Sequence, residues 1–318
     1  MSAGVAEPVS PARGGLKSLL EAVVADGTVV EQNVSLAELT TLRVGGQADW
    51  FAEPQSQADL SALVSASREH GLPVTALGLG SNFLVLDSGV RGLTVRLSAG
   101  VFAGIEADGS RLKCGAAARM KKVAAEARRC RLAGMEFLEG IPGSVGGGLR
   151  MNAGAMGSEL FDVVETVRFM DPAGEVFEMS AESIESTYRS CPLLKNQIAL
   201  GAVLKGEPDT GEAIAARMAE YSQKRWGSQP KARSAGCIFK NPEGIPAGKL
   251  VDELGLKGAT EGGAMVSQEH GNFIVNNGDA TAGDILRLID RIRERALGER
   301  GIELQTEVQI IGREDGRV

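Results

Sequence analysis

The segment EGIPGSVGGGLRMNAGAMGSEL, residues 139–160, constrains this chain more than any other, because seven of the eighteen residues 140–157 are glycine. No periodic apolar stripe runs through it. Glycine at that density weakens helix and strand alike, so the segment reads as bare backbone meant to approach another group closely. Successive N–H groups in such a loop form a concave nest that suits phosphate oxygens. A second cluster, LGLGSN at 77–82, makes the same offer earlier in the chain. Two cradles in one protein point to an extended, doubly anionic ligand, with a dinucleotide first among the candidates.

At 318 residues and 43% hydrophobic content, the chain can build two or three domains around a sizeable core. Its formal net charge of -7 argues against a broad nucleic-acid footprint. The basic string RMKK at 119–122 reads as a solvated helix face. No apolar run approaches the roughly 18 residues of a membrane span. The N-terminal MSAGVAEPVSPARGG has no apolar segment of a secretory signal, and residues 1–16 read as a flexible tail. Cys114, Cys130, Cys191 and Cys237 show no CxxC spacing, and the only histidines are His70 and His270. No metal site is expected, and reduced thiols in a cytoplasmic protein are the simplest reading.

Helical patterning is predicted at 17–24, 57–70, 116–132, 212–224 and 282–297. Leu60, Leu63, Val64 and Ser67 share one helix face; Ile285, Leu288, Ile289, Ile292 and Ala296 share another. Strands are predicted at 48–53, 74–77, 84–86, 93–97, 163–170, 176–179, 198–205, 272–276 and 304–311. The string EPDTG at 207–211 reads as a linker. The fold class is α+β, in two larger regions split near residue 210.

LGLGSN is not a Rossmann turn. Phe83 stands where the third glycine of G-x-G-x-x-G belongs, and FLVLD continues as a strand rather than a helix. A P-loop is excluded because no GxxxxGK[ST] string occurs. The cradle is therefore a strand-loop-strand device working through turn amides and the side chains of Ser81 and Asn82.

The order of motifs sharpens this reading. The chain carries TTLRVGGQADWFAEP (40–54), LGLGSNFLVLDSGVRG (77–92), GIPGSVGGGLRMNAGAMG (140–157), STYRSCP (186–192), SAGCIFKNP (234–242), GGAMVSQEHGNFIVN (262–276) and LQTEVQIIG (304–312). From about Leu36 onward this series closely resembles the UDP-N-acetylenolpyruvoylglucosamine reductases, the MurB family of peptidoglycan synthesis, in its shorter type II form. The resemblance implies an α+β, FAD-binding fold of the vanillyl-alcohol-oxidase (PCMH) type. Its two α+β subdomains would span 17–105 and 106–210, followed by a C-terminal α+β substrate-binding domain over 211–318. It implies an oxidoreductase acting on a CH–CH group with NADP as acceptor. Non-covalent FAD would take electrons from NADPH and deliver them to the enolpyruvyl ether of UDP-N-acetylglucosamine, giving UDP-N-acetylmuramate. Those two small molecules are the expected partners of a cytoplasmic monomer that binds neither nucleic acid nor membrane.

The resemblance also assigns residues. Cys237 stands where the family commonly has serine and would protonate the carbon beside the ether oxygen; a thiol, with an ordinary pKa of about 8.5, is a stronger acid than an alcohol. Glu307 matches the catalytic glutamate, and Glu303 competes with it on composition only. Arg189 matches the arginine that fixes the substrate carboxylate beside the flavin, a task suited to guanidinium geometry. Tyr188 would support the site. Gly78, Gly80, Ser81 and Asn82 are carried over to the pyrophosphate, and Ile141, Pro142, Gly143, Ser144, Gly146 and Gly147 to the flavin and its chain. Arg43 is placed near the cofactor. Arg225, Gln229, Lys240 and Asn241 are expected at the uridine diphosphate. Met156, where the family often has tyrosine, is expected to alter packing beside the flavin. His270 is read as structural and His70 as a helix-end residue. Two rivals stand beside this reading: a sugar or aldonolactone oxidase of the same fold, and a non-enzymatic nucleotide-binding regulator. A covalent flavin link would need a histidine in or near a glycine loop, and neither histidine is there.

Overall fold

The computed structural model describes residues 13–98 and 100–312. Residues 1–12 of the expected tail lie outside the described residues. The first helix is Arg13–Ala22, four residues ahead of its expected start, because Leu16 and Leu20, one turn apart, are both buried and anchor it.

Three sheets carry the molecule. The first orders its strands Val29–Ser35, Gln47–Glu53, Val90–Arg96 and Val74–Leu77, with one antiparallel pairing and two parallel ones. Leu16 and Leu20 of the first helix pack on it, as do Leu60, Leu63 and Val64 of the helix Gln57–Glu69, against Trp50, Leu93 and Val95. The Ser56 hydroxyl caps that second helix by accepting from the Asp59 N–H at 3.0 Å.

The second sheet is antiparallel throughout, in the order Val176–Ser180, Val164–Met170, Ile198–Lys205, Arg111–Gly115 and Ile105–Asp108. The helix expected over 116–132 is shorter, Met120–Arg129. Residues 116–118 are spent on backbone bonds to Leu200, Phe102 and Val145 and cannot enter it. Ile214 and Met218 of the helix Gly211–Trp226, grouped by sequence with the C-terminal unit, are buried in this second core. The expected linker is likewise pinned: Glu207 and Pro208 pair with Ala133 and Leu132.

The third sheet runs Ser234–Cys237, Phe273–Asn276, Ala264–Val266 and Thr260–Glu261. The helices Ala247–Glu253 and Ala282–Arg300 supply Leu250, Val251, Ile285, Leu288, Ile289 and Ile292 to its core. A full strand over 304–311 does not form; only Gln309–Ile311 is strand, and it pairs in parallel with Phe83–Val85 of the first region. Upstream of it, the N–H groups of Glu307 and Val308 both donate to the Ile238 carbonyl, at 2.7 and 3.3 Å. That diversion sets Glu307 next to the Cys237 loop.

The glycine-rich block is not all loop. Val145–Met151 is a short helix, held by buried Val145 and Leu149 and ended by Asn152 in the left-handed conformation at φ 40°. Its glycines do two jobs. A Cβ on Gly148 would lie 1.8 Å from Met120 Cε, so core packing demands glycine there. A Cβ on Gly147 would come no closer than 3.9 Å to any neighbour, the nearest being Ser144 Oγ, and would enter open space.

Candidate active site

That open space is a cavity of about 790 Å³, within the range of small-molecule sites. Both glycine loops line it, through Gly78, Gly80, Ser81 and Asn82 on one side and Ile141, Pro142, Gly143, Ser144, Gly146 and Gly147 on the other. Arg189, Arg225, Gln229, Cys237 and Glu307 line the same cavity. Most of the residues singled out from sequence are thus brought to one place from all three sheet regions.

The two loops are locked together. Ser81 Oγ donates to the Pro142 carbonyl at 2.7 Å, and Gly78 is close enough that a Cβ there would meet Ser144 Oγ at 3.1 Å. Gly80 takes φ +63°, and a Cβ on it would sit 2.4 Å from the Leu39 carbonyl oxygen, so no other residue fits. Asn82 reaches across to the third region, Nδ2 donating to the Glu307 carbonyl at 3.1 Å.

Arg189 and Glu307 form the polar centre. Arg189 Nε donates to Glu307 Oε1 at 2.9 Å, and its Nη2 donates to the Gly154 carbonyl at 3.1 Å. Glu159 stands 3.8 Å from Nη1, and the guanidinium lies 4.7 Å from the Tyr188 ring centroid. Arg189 also holds φ 57°, a left-handed backbone that costs a side-chain-bearing residue about 1 kcal/mol or more. Burial raises the Glu307 carboxyl above the ordinary value, against the opposing pull of the Arg189 and Lys240 cations. Burial, reinforced by the Glu307 charge, pushes the Cys237 thiol up to about 12, while Arg189, Arg225 and a hydrogen bond with Asn272 act the other way. At neutral pH Cys237 is therefore a protonated thiol with a cationic rim.

Several expected positions lie elsewhere. The Arg43 guanidinium donates to the Glu38 carbonyl at 2.7 Å and does not line the cavity. Tyr188 is 41% exposed and contributes through Arg189 only. Lys240 is tied through its N–H to the Gln305 carbonyl at 2.9 Å, and Asn241 Oδ1 accepts from the Ala247 N–H at 2.9 Å; neither lines the cavity. Met156 is 39% exposed and off the cavity wall, because φ 56° at this position turns the chain outward in a tight turn before Gly157. His270 packs edge-on against Phe273 and accepts from the Asn272 N–H, and His70 closes a helix; Glu303 is exposed.

Among the lining residues that went unnoticed in the sequence are Arg150 and Gln197. Arg150 sits inside the cavity wall with Nη1 donating to the carbonyls of Leu194 and Lys195 at 2.7 and 2.9 Å, and burial lowers its pKa. Gln197, like the expected Gln229, lines the cavity with a buried Oε1 that has no hydrogen-bond partner. A buried acceptor left unmade costs about 1–3 kcal/mol, so both amides call for a donor from a bound molecule. Gln229 carried a motif and Arg150 lies within the glycine-rich one, but nothing local marked Arg150 or Gln197 as facing the cavity, since their approach is a product of tertiary packing.

The comparisons with known proteins agree with this geometry. The family model for the FAD binding domain matches residues 48–180, and that for the C-terminal domain of UDP-N-acetylenolpyruvoylglucosamine reductase matches residues 229–311. The chain is 43% identical over 282 residues to a UDP-N-acetylenolpyruvoylglucosamine reductase of Methylorubrum extorquens, covering 88% of this chain and 91% of that protein. It is 44% identical over 283 residues to the Caulobacter vibrioides protein of the same name, covering 88% and 93%. The chain belongs to the UDP-N-acetylenolpyruvoylglucosamine reductase family. The solved reductase from Thermus caldophilus superposes with a TM-score of 0.79 at 38% identity, covering 90% of this chain and all of that one. The fold is the α+β flavin-binding architecture expected from the motifs.

The residues present fit FAD: a glycine-walled cavity open at Gly147, two linked backbone cradles, and the unpartnered amide oxygen of Gln197. Gly147→Leu is expected to leave the Tm of the flavin-free protein within about 2 °C. It should weaken flavin binding at least about tenfold, the effect of roughly 1.4 kcal/mol, read by quenching of flavin fluorescence on titration. Glu307 gives a stability signature. Its raised native pKa means that the fold binds this proton more tightly than the unfolded chain does, so stability is lost as pH rises from the ordinary carboxylate value through the native one. Glu307→Gln cannot ionise and escapes that loss. It is expected to raise the Tm of the flavin-free protein by about 2 °C at pH 8, with the advantage shrinking towards pH 4, in a calorimetric pH series.

Proposed function

We propose that Cys237, Glu307 and Arg189 are the reacting groups of an NADPH-dependent UDP-N-acetylenolpyruvoylglucosamine reductase, and that the glycine loops at 78–82 and 141–147 hold its FAD. The activity follows from family membership across nearly the whole chain: reduction of the enolpyruvyl ether to UDP-N-acetylmuramate for peptidoglycan synthesis. The observation that carries the residue assignment is the convergence of a thiol, a carboxyl and a guanidinium on the cavity that both glycine loops line.

Held by the two glycine loops, FAD would supply the redox chemistry, a hydride relay from NADPH to the methylene carbon of the substrate double bond. The protein supplies everything else. Arg189, with one edge already on Glu307 and one N–H on the Gly154 carbonyl, is oriented to hold the substrate carboxylate as charge builds there. Cys237 delivers the proton to the neighbouring carbon: its S–H bond breaks as the new C–H bond forms, and the sulfur is later reprotonated from water. A thiol kept neutral by burial arrives at this step with its proton in place. Glu307, its affinity for a proton raised by burial, can share a proton with the same carboxylate.

Arg225 and Gln229 are assigned to the uridine diphosphate, Arg225 as a partly buried cation whose Nη1 donates to the Gly140 carbonyl and Gln229 through its unpartnered oxygen. Lys240 and Asn241 support the site from behind, Lys240 through its field at Glu307. The oxidase alternative finds no support, since neither His70 nor His270 lines the cavity. Four free thiols favour a reducing, cytoplasmic setting, and among the described residues no helix is long and apolar enough to cross a membrane.

The purified protein should be yellow and should bleach with NADPH under anaerobic conditions; a protein that stays oxidised under NADPH excludes the reading. Cys237→Ala is expected to leave flavin reduction by NADPH fast while slowing reoxidation by substrate about 10²–10⁴-fold, the span of general acid catalysis. Cys237→Ser should retain substantial activity. Stopped-flow absorbance separates the two half-reactions, and equal losses in both would remove Cys237 from the proton-transfer step.

A further inference from the structure

Asn272 is 2% exposed, uncharged, and stands immediately before the strand Phe273–Asn276 that pairs with the strand of Cys237. Its amide is engaged at both ends by a single residue. Oδ1 accepts from the Phe239 N–H at 2.8 Å, and Nδ2 donates to the Phe239 carbonyl at 2.7 Å. Its own backbone carbonyl accepts from the Ile238 N–H at 2.9 Å. Three bonds therefore clamp residues 238 and 239, directly after Cys237. The clamp is placed where the ladder needs it, because pairing is irregular between Ser234 and Cys237 and Gly236 turns the chain at φ +78°. A primary amide carries two N–H donors, and Phe239 takes one of them. Asn272 is also among the groups that oppose the upward push of burial on the Cys237 thiol.

We propose that Asn272 is the positioning residue of the proton-donating thiol: it fixes the segment that carries Cys237 and offers its remaining N–H to the sulfur when the proton leaves. The inference rests on Cys237 being the acid. As the S–H bond breaks and the C–H bond forms, the electron pair stays on sulfur, in a site where a bare thiolate is poorly solvated. An N–H aimed at that sulfur is worth more after the transfer than before it, so it stabilises the transition state selectively. Being uncharged, the amide does not strip the resting thiol of its proton.

The test is a double-substitution cycle on the flavin-loaded enzyme, using Asn272→Ala, Cys237→Ala and the pair, with the two half-reactions followed separately. Asn272→Ala is expected to leave flavin reduction by NADPH within about twofold. It should slow reoxidation by substrate about 10–100-fold, the scale of one hydrogen bond to a charged group. In the Cys237→Ala background the same substitution should add no further slowing, because the group it serves is gone. Flavin content and Tm report folding; if Asn272→Ala fails to retain flavin, the near-isosteric and uncharged Asn272→Leu, which fills the same volume and has no N–H for the sulfur, is put through the same cycle with the same expectation. Equal slowing of both half-reactions, or undiminished slowing in the Cys237→Ala background, would overturn the role of Asn272 alone. Fast reoxidation in Cys237→Ala by itself would instead sink the acid assignment, and this inference with it.

Discussion

The structure depends on what the loop 78–82 touches. The Gly80 carbonyl accepts from the Thr41 N–H at 3.1 Å, and the Thr41 hydroxyl lies 2.7 Å from the Ser234 carbonyl. Ser81 ties the loop to Pro142, Asn82 ties it to the Glu307 carbonyl, and the Gln309 N–H closes on the Asn82 carbonyl at 2.9 Å. One short turn is thus hydrogen-bonded to the second sheet region, to the third, and to the chain's closing strand. Each contact is to backbone or through a short side chain, so the cradle and the reacting groups share one rigid frame. Displacing the turn by an ångström would move the cofactor loops and Glu307 together.

Within that frame the charges are set against burial. A carboxyl, a thiol and two guanidiniums occupy one partly dry wall, and the low dielectric favours the neutral form of the first two. Arg189 opposes the rise that burial imposes on Glu307, and Glu307 in turn makes Cys237 harder to ionise. The Cys237 thiol is thereby protected from losing its proton to solvent and from the oxidation that a thiolate invites. The strained backbone at Arg189 belongs to the same arrangement: its left-handed φ is held by the bonds its side chain makes to Glu307 and Gly154.

Much of this was legible in the sequence because the signals were local. The helix face of Ile285, Leu288, Ile289 and Ile292 and the strand Ile198–Lys205 follow from residue spacing and are found where the pattern put them. The missing third glycine of LGLGSN excluded a Rossmann turn, and a strand does follow at Phe83–Val85. What stayed hidden was long-range. Val145 and Leu149 could nucleate a helix in a glycine-rich string only because Met120 packs into the gap at Gly148. Arg43 and Asn241 carried the right motifs, yet a nearby carbonyl and N–H group claim their side chains, and Lys240 stands off the cavity wall. Gln197 carried no motif, and Arg150 and Asn272 sit inside motif strings that gave no sign of their contacts, which are made to segments distant in the chain.

The parallel pairing of Gln309–Ile311 with Phe83–Val85 has a consequence for how the enzyme comes into being on the ribosome. The Asn82–Glu307 bond joins positions 225 residues apart. The turn at 78–82 is therefore translated early, but the edge of Phe83–Val85 stays unpaired until residues 309–311 have been made. Closing so wide a loop is slow, so the stretch of cavity wall that Glu307 and Gln309 supply is completed late in folding.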